Sequence, residues 1–323
     1  MKFSALVIAA VGALSLTPAA AQQDWPSKPV RIVAPFAPGG TADTLGRIAA
    51  EELGQAIKGS QFVVENRPGA GGLLGAAAVA NAEPDGYTFV VSGIASHVLG
   101  PINNANAGFD PMKSFAHVAY FGGPPNVIIV HPSLGVKSLK DLLETMKKSK
   151  DATPYVSPGP GTLGQLLMEA WAQKEKVKVE HIPYKGAGQA ITDLIAGHVK
   201  VGSMTWTTAS GQIAAGKVIP IAVSSDKRLP DYPNVPTLKE LGYPDLVAIT
   251  WFSLSAPAKT PNEIVGRMNQ EVVKLMAKPE VQKRLENEEI ETIPMSPEEF
   301  TKFVEAEIGR WGPVAKSVGA AMN

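Results

Sequence analysis

A short apolar stretch followed by a loop rich in glycine and hydroxyl residues occurs six times in this chain, and each loop opens a helical pattern. In parallel sheets such loops gather at the carboxyl ends of the strands, where free helix N–H groups and the helix dipole favour an anion. The repeated pattern therefore predicts a protein that surrounds a small anionic ligand. The strands predicted before the loops are residues 30–34, 61–64, 87–91, 154–156, 179–182 and 199–203.

The first 21 residues have the pattern of a signal peptide. Lys2 supplies a positive start, residues 3–16 are largely apolar, and Ala19-Ala20-Ala21 is a cleavage site of the A-x-A type. The apolar stretch is too short to span a membrane, and no later stretch has the about 20 apolar residues of a membrane helix. Since no cysteine follows to carry a lipid, we expect a processed, soluble periplasmic protein that begins near Gln22.

The composition excludes several classes of partner and site. Lys and Arg number 30 and Asp and Glu number 30, so removal of Lys2 with the leader leaves 29 against 30. That balance provides no electrostatic attraction to nucleic acid or to an anionic membrane. The absence of cysteine excludes thiol catalysis, thiolate metal sites and disulfides. No metal is expected, because the histidines lack metal-binding spacing; they are His97, His117, His131, His181 and His198.

The alternation of strand, loop and helix from Val30 to about residue 221 favours an α/β fold with parallel sheets. A glycine–proline break at residues 122–125 indicates a crossing between domains, and residues 249–252 indicate a second one. Two crossings permit hinge closure. The predicted domains are a signal peptide (1–21), a first lobe (22–123 plus 251–323) and a second lobe (124–250).

Two glycine motifs resemble nucleotide-binding loops. Residues 159–164 (GPGTLG) match the dinucleotide fingerprint and Glu180 follows about 20 residues later, but Pro160 stiffens the turn that must approach a pyrophosphate. Exported proteins also lack a supply of nicotinamide cofactor. Residues 211–217 (GQIAAGK) have P-loop spacing, but Val218 replaces the Ser or Thr that would hold Mg²⁺. We therefore expect no cofactor and interpret the first motif as an anion-binding loop.

An exported α/β enzyme, a hydrolase or an oxidoreductase that uses the glycine loops, is the alternative function. The sequence contains no G-x-S-x-G nucleophile motif, and no nucleophile lies next to a base. A Ser–His–Asp arrangement assembled only in three dimensions stays open at this point. No catalytic residue is predicted.

Six sequence motifs follow one another along the chain. They are residues 35–43 (PFAPGGTAD), 64–72 (VENRPGAGG), 84–88 (PDGYT), 183–186 (PYKG), 234–237 (NVPT) and 251–257 (WFSLSAP). In this order they resemble the motifs of the Bug-type solute-binding receptors of tripartite tricarboxylate transporters, and the resemblance covers essentially the whole mature sequence. It implies a type II periplasmic-binding-protein fold, in which two α/β lobes joined by two crossover segments close on a small carboxylate like a Venus flytrap.

The resemblance also implies a ligand site, carried over by position. In the first lobe its residues are Phe36, Pro38, Gly39, Gly40, Thr41, Asp43, Gly71, Gly72 and Ser96. In the second lobe they are Ser157, Gly161, Thr162, Lys185, Gly186 and Ala187. The chemistry of their loops adds four further candidates, namely His97, Met204, Thr205 and Trp206. Asp43 is expected to cap its helix or to orient water, since it would repel a carboxylate.

Two positions depart from the family pattern. Gln165 stands where the family often has a histidine, and residues 201–205 lack the Asp that the family commonly places there. Without that carboxylate a ligand ammonium would be costly to bury, whereas Met204 and Trp206 suit an apolar or aromatic body. We therefore expect an aliphatic or aromatic mono- or dicarboxylate rather than aspartate or glutamate. The alternative for Met204 is simple packing in the core of the second lobe.

The sequence thus predicts a non-enzymatic periplasmic receptor that acts as a monomer. Closure of the two lobes would bind the anion through backbone N–H groups and hydroxyls, with ordered waters as bridges. The expected partners are the membrane subunits of a tripartite transporter or the outer domain of a sensor.

Overall fold

The computed structural model describes residues 25–104 and 106–318 and contains two five-stranded sheets. The first sheet consists of β1 (Val30–Ala34), β2 (Phe62–Asn66), β3 (Thr88–Gly93), β4 (Phe115–Gly122) and β10 (Phe252–Pro257). The second consists of β5 (Asn126–Val130), β6 (Thr153–Ser157), β7 (Val179–Pro183), β8 (Val201–Thr205) and β9 (Ile219–Val223). All six strands predicted from the sequence are confirmed. The predicted signal peptide lies outside the described residues.

The two sheets have the same topology. Their strand orders are β2-β1-β3-β10-β4 and β7-β6-β8-β5-β9. In each sheet the strand that enters directly after a crossing, β10 or β5, runs antiparallel to both of its neighbours. The chain therefore leaves the first sheet after Gly122 and returns to it at Phe252. The predicted two-lobe α/β fold class is confirmed.

Helices follow most strands and cover the sheets. They are α1 (Thr41–Ala56), α2 (Leu73–Ala80), α3 (Gly100–Asn103), α4 (Leu139–Lys148), α5 (Leu163–Glu175), α6 (Ala187–Ile195), α7 (Trp206–Ala214), α8 (Asn262–Met276), α9 (Pro279–Glu286) and α10 (Pro297–Val318). None of the helices in the described part of the chain has both the length and the apolar composition needed to cross a membrane.

The two crossing segments run against each other. The Thr250 N–H donates to Pro124 O at 2.9 Å, and Pro125 and Ile249 form a β-bridge. Glycine is required here, because a Cβ on Gly123 would lie 2.1 Å from Thr250 O. Gly122 adds a positive φ of 96°, which glycine adopts without strain. The crossing is therefore a tight backbone junction.

The C-terminal helix α10 packs against both lobes. Phe300 and Val304 belong to one continuous buried core with Leu163 and Trp171 of α5. The buried Glu307 carboxylate accepts hydrogen bonds from the indole of Trp251 in the second crossing (2.9 Å) and from that of Trp311 (3.1 Å). Buried indole N–H groups need such partners, so Glu307 fixes the second crossing to α10.

Candidate functional site

A cavity of about 40 Å³ lies between the carboxyl edges of the two sheets. Its apolar wall includes Phe36, Val91, Leu163 and Phe252, and no ionisable side chain of the described residues lines it. The neutral polar side chains in its wall are Thr41, Ser96, Asn126, Thr162, Thr205 and Thr250.

Four helices begin at this cavity. The residues that precede α1, α5, α6 and α7 are Gly40, Thr162, Gly186 and Thr205, and none of them caps its helix through a side-chain hydrogen bond. Uncapped N–H groups and the positive ends of helix dipoles attract anions. The cavity therefore lies at the positive ends of four helices and has no cationic side chain among its described lining residues.

The lobes touch across this cavity. Thr41 Oγ1 donates to Thr205 Oγ1 at 2.9 Å, and the Ala37 N–H donates to Lys185 O at 3.0 Å. A Cβ on Gly71 would lie 1.9 Å from Pro160 O, and one on Gly188 would lie 2.6 Å from Pro38 O. Backbones can approach this closely only where Cβ is missing. The structure is therefore that of a closed cleft.

Asp43 stabilises the loop before α1 rather than facing a ligand. Its carboxylate accepts from the Gly39 N–H (3.2 Å), Arg47 Nε (3.1 Å) and Asn66 Nδ2 (3.0 Å). Burial by itself would raise the pKa of Asp43, but these donors and the charge of Arg47 together hold it below its ordinary value. Asn66 Nδ2 also donates to Phe36 O at 3.0 Å, so this network fixes the whole loop.

The loop before α5 is held by buried side chains. Thr162 Oγ1 donates to Gly159 O at 2.7 Å, and the Gly161 N–H donates to Gln165 Oε1 at 2.8 Å. Gln165, at a position where the family often has histidine, therefore orders the anion loop from behind. Thr162 directly precedes α5 and lies in the cavity wall, but its N–H (3.4 Å) and its hydroxyl both donate to Gly159 O within their own loop.

Ser157 and His181 form a pair that resembles a nucleophile and its base. Ser157 Oγ lies 2.7 Å from His181 Nε2, and burial lowers the pKa of His181 to about 4. However, Ser157 is fully buried, is outside the cavity wall and accepts from the Gly159 N–H at 3.2 Å. The pair thus supports the loop and offers no exposed nucleophile.

Several predicted site residues lie outside the cavity wall. Met204 and Trp206 are buried in the core of the second lobe, where Trp206 packs edge-to-face on Tyr232 at 4.7 Å. Successive strand residues point to opposite faces, so Thr205 can face the cavity only if Met204 points away. His97 lies behind the wall, 4.4 Å from the Phe115 ring, and its Nδ1 is 3.0 Å from Ser96 Oγ.

The remaining predicted residues fall into two groups. Seven of them line the cavity, namely Phe36, Gly40, Thr41, Ser96, Thr162, Ala187 and Thr205. The others border the contact between the lobes or support the loops, namely Pro38, Gly39, Asp43, Gly71, Gly72, Ser157, Gly161, Lys185 and Gly186.

Asn126 and Thr250 line the cavity and were missed from the sequence. Both belong to the crossing segments, and Thr250 Oγ1 donates to Asn126 Oδ1. The sequence did contain a signal for them, because Asn126 directly follows the first predicted crossing and Thr250 lies within the second. Since both crossings lie at the base of the cleft, polar residues there border the ligand space.

Comparison with known proteins gives a consistent result. Residues 45–320 match the family described as tripartite tricarboxylate transporter family receptor, TctC. Protein BugT of Bordetella pertussis is 29% identical over 93% of this chain and 92% of its own length. The UPF0065 protein in the gbd 5′ region of Cupriavidus necator is 31% identical over 98% of this chain and 96% of its own length.

Three solved structures superpose closely. The periplasmic binding protein BugD is 32% identical, with a TM-score of 0.87 over 91% of this chain and 99% of that one. Rhodopseudomonas palustris Rpa4515, solved with adipate, is 33% identical with a TM-score of 0.87, and the match covers 92% of this chain and 99% of that one. MatC of the same organism, with bound malate, is 28% identical with a TM-score of 0.85, and the match covers 90% of this chain and 100% of that one.

The solved structures include a periplasmic binding protein and two proteins with a bound acid, and all three superpose on both lobes of this chain. The resemblance drawn from the sequence motifs is therefore confirmed. The chain belongs to the TctC family of tripartite tricarboxylate transporter receptors and is a solute-binding receptor rather than an enzyme.

Proposed function

We propose that this receptor captures a small organic carboxylate, aliphatic or aromatic, in the cavity between its lobes. The observation that carries this proposal is the convergence of four helix starts without side-chain caps on a cavity with no charged lining residue. Such a site favours an anion through N–H groups and dipoles. The adipate and malate in two related structures support the same ligand class.

We further propose that the lobes comprise residues 22–123 plus 251–323 and residues 124–250, and that they open about the crossings. The leader at residues 1–21 would direct the protein to the periplasm, where it acts as a monomer. It would deliver its ligand to the membrane subunits of a tripartite transporter or to a sensor. N-terminal sequencing of the exported protein should find Gln22 or a close neighbour as the first residue.

The ligand site combines direct and supporting residues. Thr41, Ser96, Thr162 and Thr205 provide hydroxyls in the wall, while Ala187 begins α6 there. Asp43 and Gln165 hold the two anion loops from outside the cavity. An ammonium has no carboxylate to meet in this wall, which favours simple carboxylates over amino acids.

Native mass spectrometry of protein purified without refolding, followed by calorimetry with a carboxylate panel, tests the proposal. We expect a bound acid and a 1:1 stoichiometry, with the acid unchanged after prolonged incubation. Turnover of the acid would favour the enzyme alternative. Stabilisation by amino acids alone, with no response to any simple carboxylate, would contradict the proposed ligand class.

Replacing Thr41 with valine is expected to weaken carboxylate binding about 5–10-fold, because its hydroxyl bonds Thr205 only when the lobes are closed. One hydrogen bond contributes about 1 kcal/mol. Thr205→Val should act similarly, and the double variant should lose much less than the sum, since both remove the same bond. Thr145→Val on exposed α4 is the matched control. Strict additivity in calorimetry would contradict a shared cross-cleft bond.

A further inference from the structure

The backbone of Asn126 is fixed on both sides within the second lobe. Asn126 is 3% exposed and pairs with Thr205 in the second sheet. Its N–H donates to Ser224 Oγ and its C=O accepts from the Ser224 N–H, both at 2.8 Å. These bonds involve only the backbone of Asn126, so they persist when the side chain is changed.

The orientation of the Asn126 amide is set by the opposite crossing. Thr250 Oγ1 donates to Asn126 Oδ1, and the Thr250 N–H is itself held by Pro124 O at 2.9 Å. With the oxygen engaged, the NH₂ end points away from Thr250, toward the start of α5; it lies 3.3 Å from where a Cβ on Gly164 would be. Gly164 is part of the cavity wall.

This amide differs chemically from the other polar side chains of the wall. Thr41, Ser96, Thr162, Thr205 and Thr250 carry hydroxyls, which can donate or accept. An amide NH₂ can only donate. A ligand group that meets it is therefore favoured if it is an oxygen acceptor and disfavoured if it is a methyl or an ammonium.

We propose that Asn126 is a specificity-determining residue, which selects acids that carry a second oxygen-bearing group at the end of the ligand nearest the crossings. This inference rests on the proposed carboxylate site and adds the chemistry of the far end of the ligand. It favours dicarboxylates over monocarboxylates and over ω-amino acids of the same length. The position of Asn126 between the crossings also places this recognition where the lobes are joined.

Acids matched in length but different at one end test the inference. The six-carbon probes are adipate, hexanoate and 6-aminohexanoate, and the four-carbon probes are succinate, butyrate and 4-aminobutyrate. For at least one length, calorimetry at pH 7.5 with the wild-type protein should show the dicarboxylate bound about tenfold or more tightly than the monocarboxylate. The ω-amino acid should bind most weakly.

Substitutions at Asn126 should change the ratio of affinities rather than all affinities together. Asn126→Ala should lower dicarboxylate affinity about tenfold and leave the monocarboxylate within about twofold. Asn126→Asp should reverse the order, so that the ω-amino acid binds better than the dicarboxylate. Thr250→Val, which frees the amide to turn, should reduce the selectivity in part. Thermal unfolding of each variant confirms that the protein is folded.

The outcomes separate the inference from the function on which it rests. A dicarboxylate-to-monocarboxylate ratio near one in the wild type, or an unchanged ratio in Asn126→Ala, would overturn the role of Asn126 and leave the carboxylate receptor intact. Failure of the folded wild type to bind any carboxylate, these probes included, would overturn both. A purely structural role for Asn126 would lower all affinities equally, which also counts against the inference.

Discussion

Gly71→Ala is expected to lower ligand affinity by roughly 100-fold or more, about 3 kcal/mol, while the protein stays folded. In the closed cleft a Cβ at this position would lie 1.9 Å from the backbone oxygen of Pro160. Backbone on the opposite lobe cannot move aside without reopening the cleft. Gly71 lies outside the cavity wall, so the loss would report closure itself. Calorimetry measures the loss of affinity, and small-angle scattering with saturating ligand measures the loss of closure.

Two further variants separate closure from local strain. Gly71 has a φ of 63°, and Gly216 has a φ of 67° with nothing within 4 Å of its Cβ position. Gly216→Ala therefore carries the same left-handed strain, about 1–2 kcal/mol, without blocking the cleft, and its affinity should be unchanged. Gly188 does not have a left-handed φ, so Gly188→Ala carries no such strain. It should still weaken binding, since its Cβ would lie 2.6 Å from Pro38 O across the cleft.

Equal radii of gyration for the free and the liganded wild-type protein would contradict closure and indicate a rigid pocket.

Stability should fall steeply as the pH drops from 6.5 to 4, because two histidines are buried without charge in the first lobe. Burial, and then the neighbouring His117, hold the pKa of His97 well below its ordinary value, and burial lowers the pKa of His117 to about 4. In the unfolded chain both groups titrate near 6.5. Between these values the unfolded chain binds protons that the folded chain does not, so the free energy of unfolding decreases as the pH falls.

The expected loss from His117 alone is roughly 3 kcal/mol by pH 4, measured by urea denaturation between pH 7.5 and 4. His117→Gln should flatten this dependence, whereas His198→Gln on an exposed turn should not. His181 adds a loss of the same sign in the same window, because burial lowers its pKa to about 4 as well. The lowered pKa of Asp43 affects stability only below pH 3.8, outside this window, and the raised pKa of the buried Glu169 works in the opposite direction. An identical pH slope in His117→Gln and the wild type would refute the assignment.

The fold could be predicted because its signals are local. Apolar runs, glycine loops and helical periodicity depend on neighbouring residues, and all six predicted strands lie where these patterns place them. The break at residues 122–125 marked the first crossing, because paired glycine and proline interrupt both helix and strand. The same locality explains why Thr162 could be placed directly before α5, whereas Thr41 was placed in the cavity by the family resemblance.

Side-chain direction was beyond the sequence pattern. A strand alternates its faces, so Met204 and Thr205 had to point in opposite directions, but the sequence does not say which of them meets the cavity. His97 presented the same problem, because its loop lies at the cleft while its ring packs on Phe115. Both outcomes depend on which face each element turns to the core.

The sequence by itself determined the family, the two-lobe α/β class and the loops that border the cavity, because motif order and periodicity are properties of neighbouring residues. Only the tertiary structure decided which residues meet across the cleft. The bond from Thr41 to Thr205 joins positions far apart in the chain, and the Asn126 amide is oriented by Thr250 on the other crossing. Such pairs depend on how the two sheets are placed against each other, which follows from packing of the whole molecule.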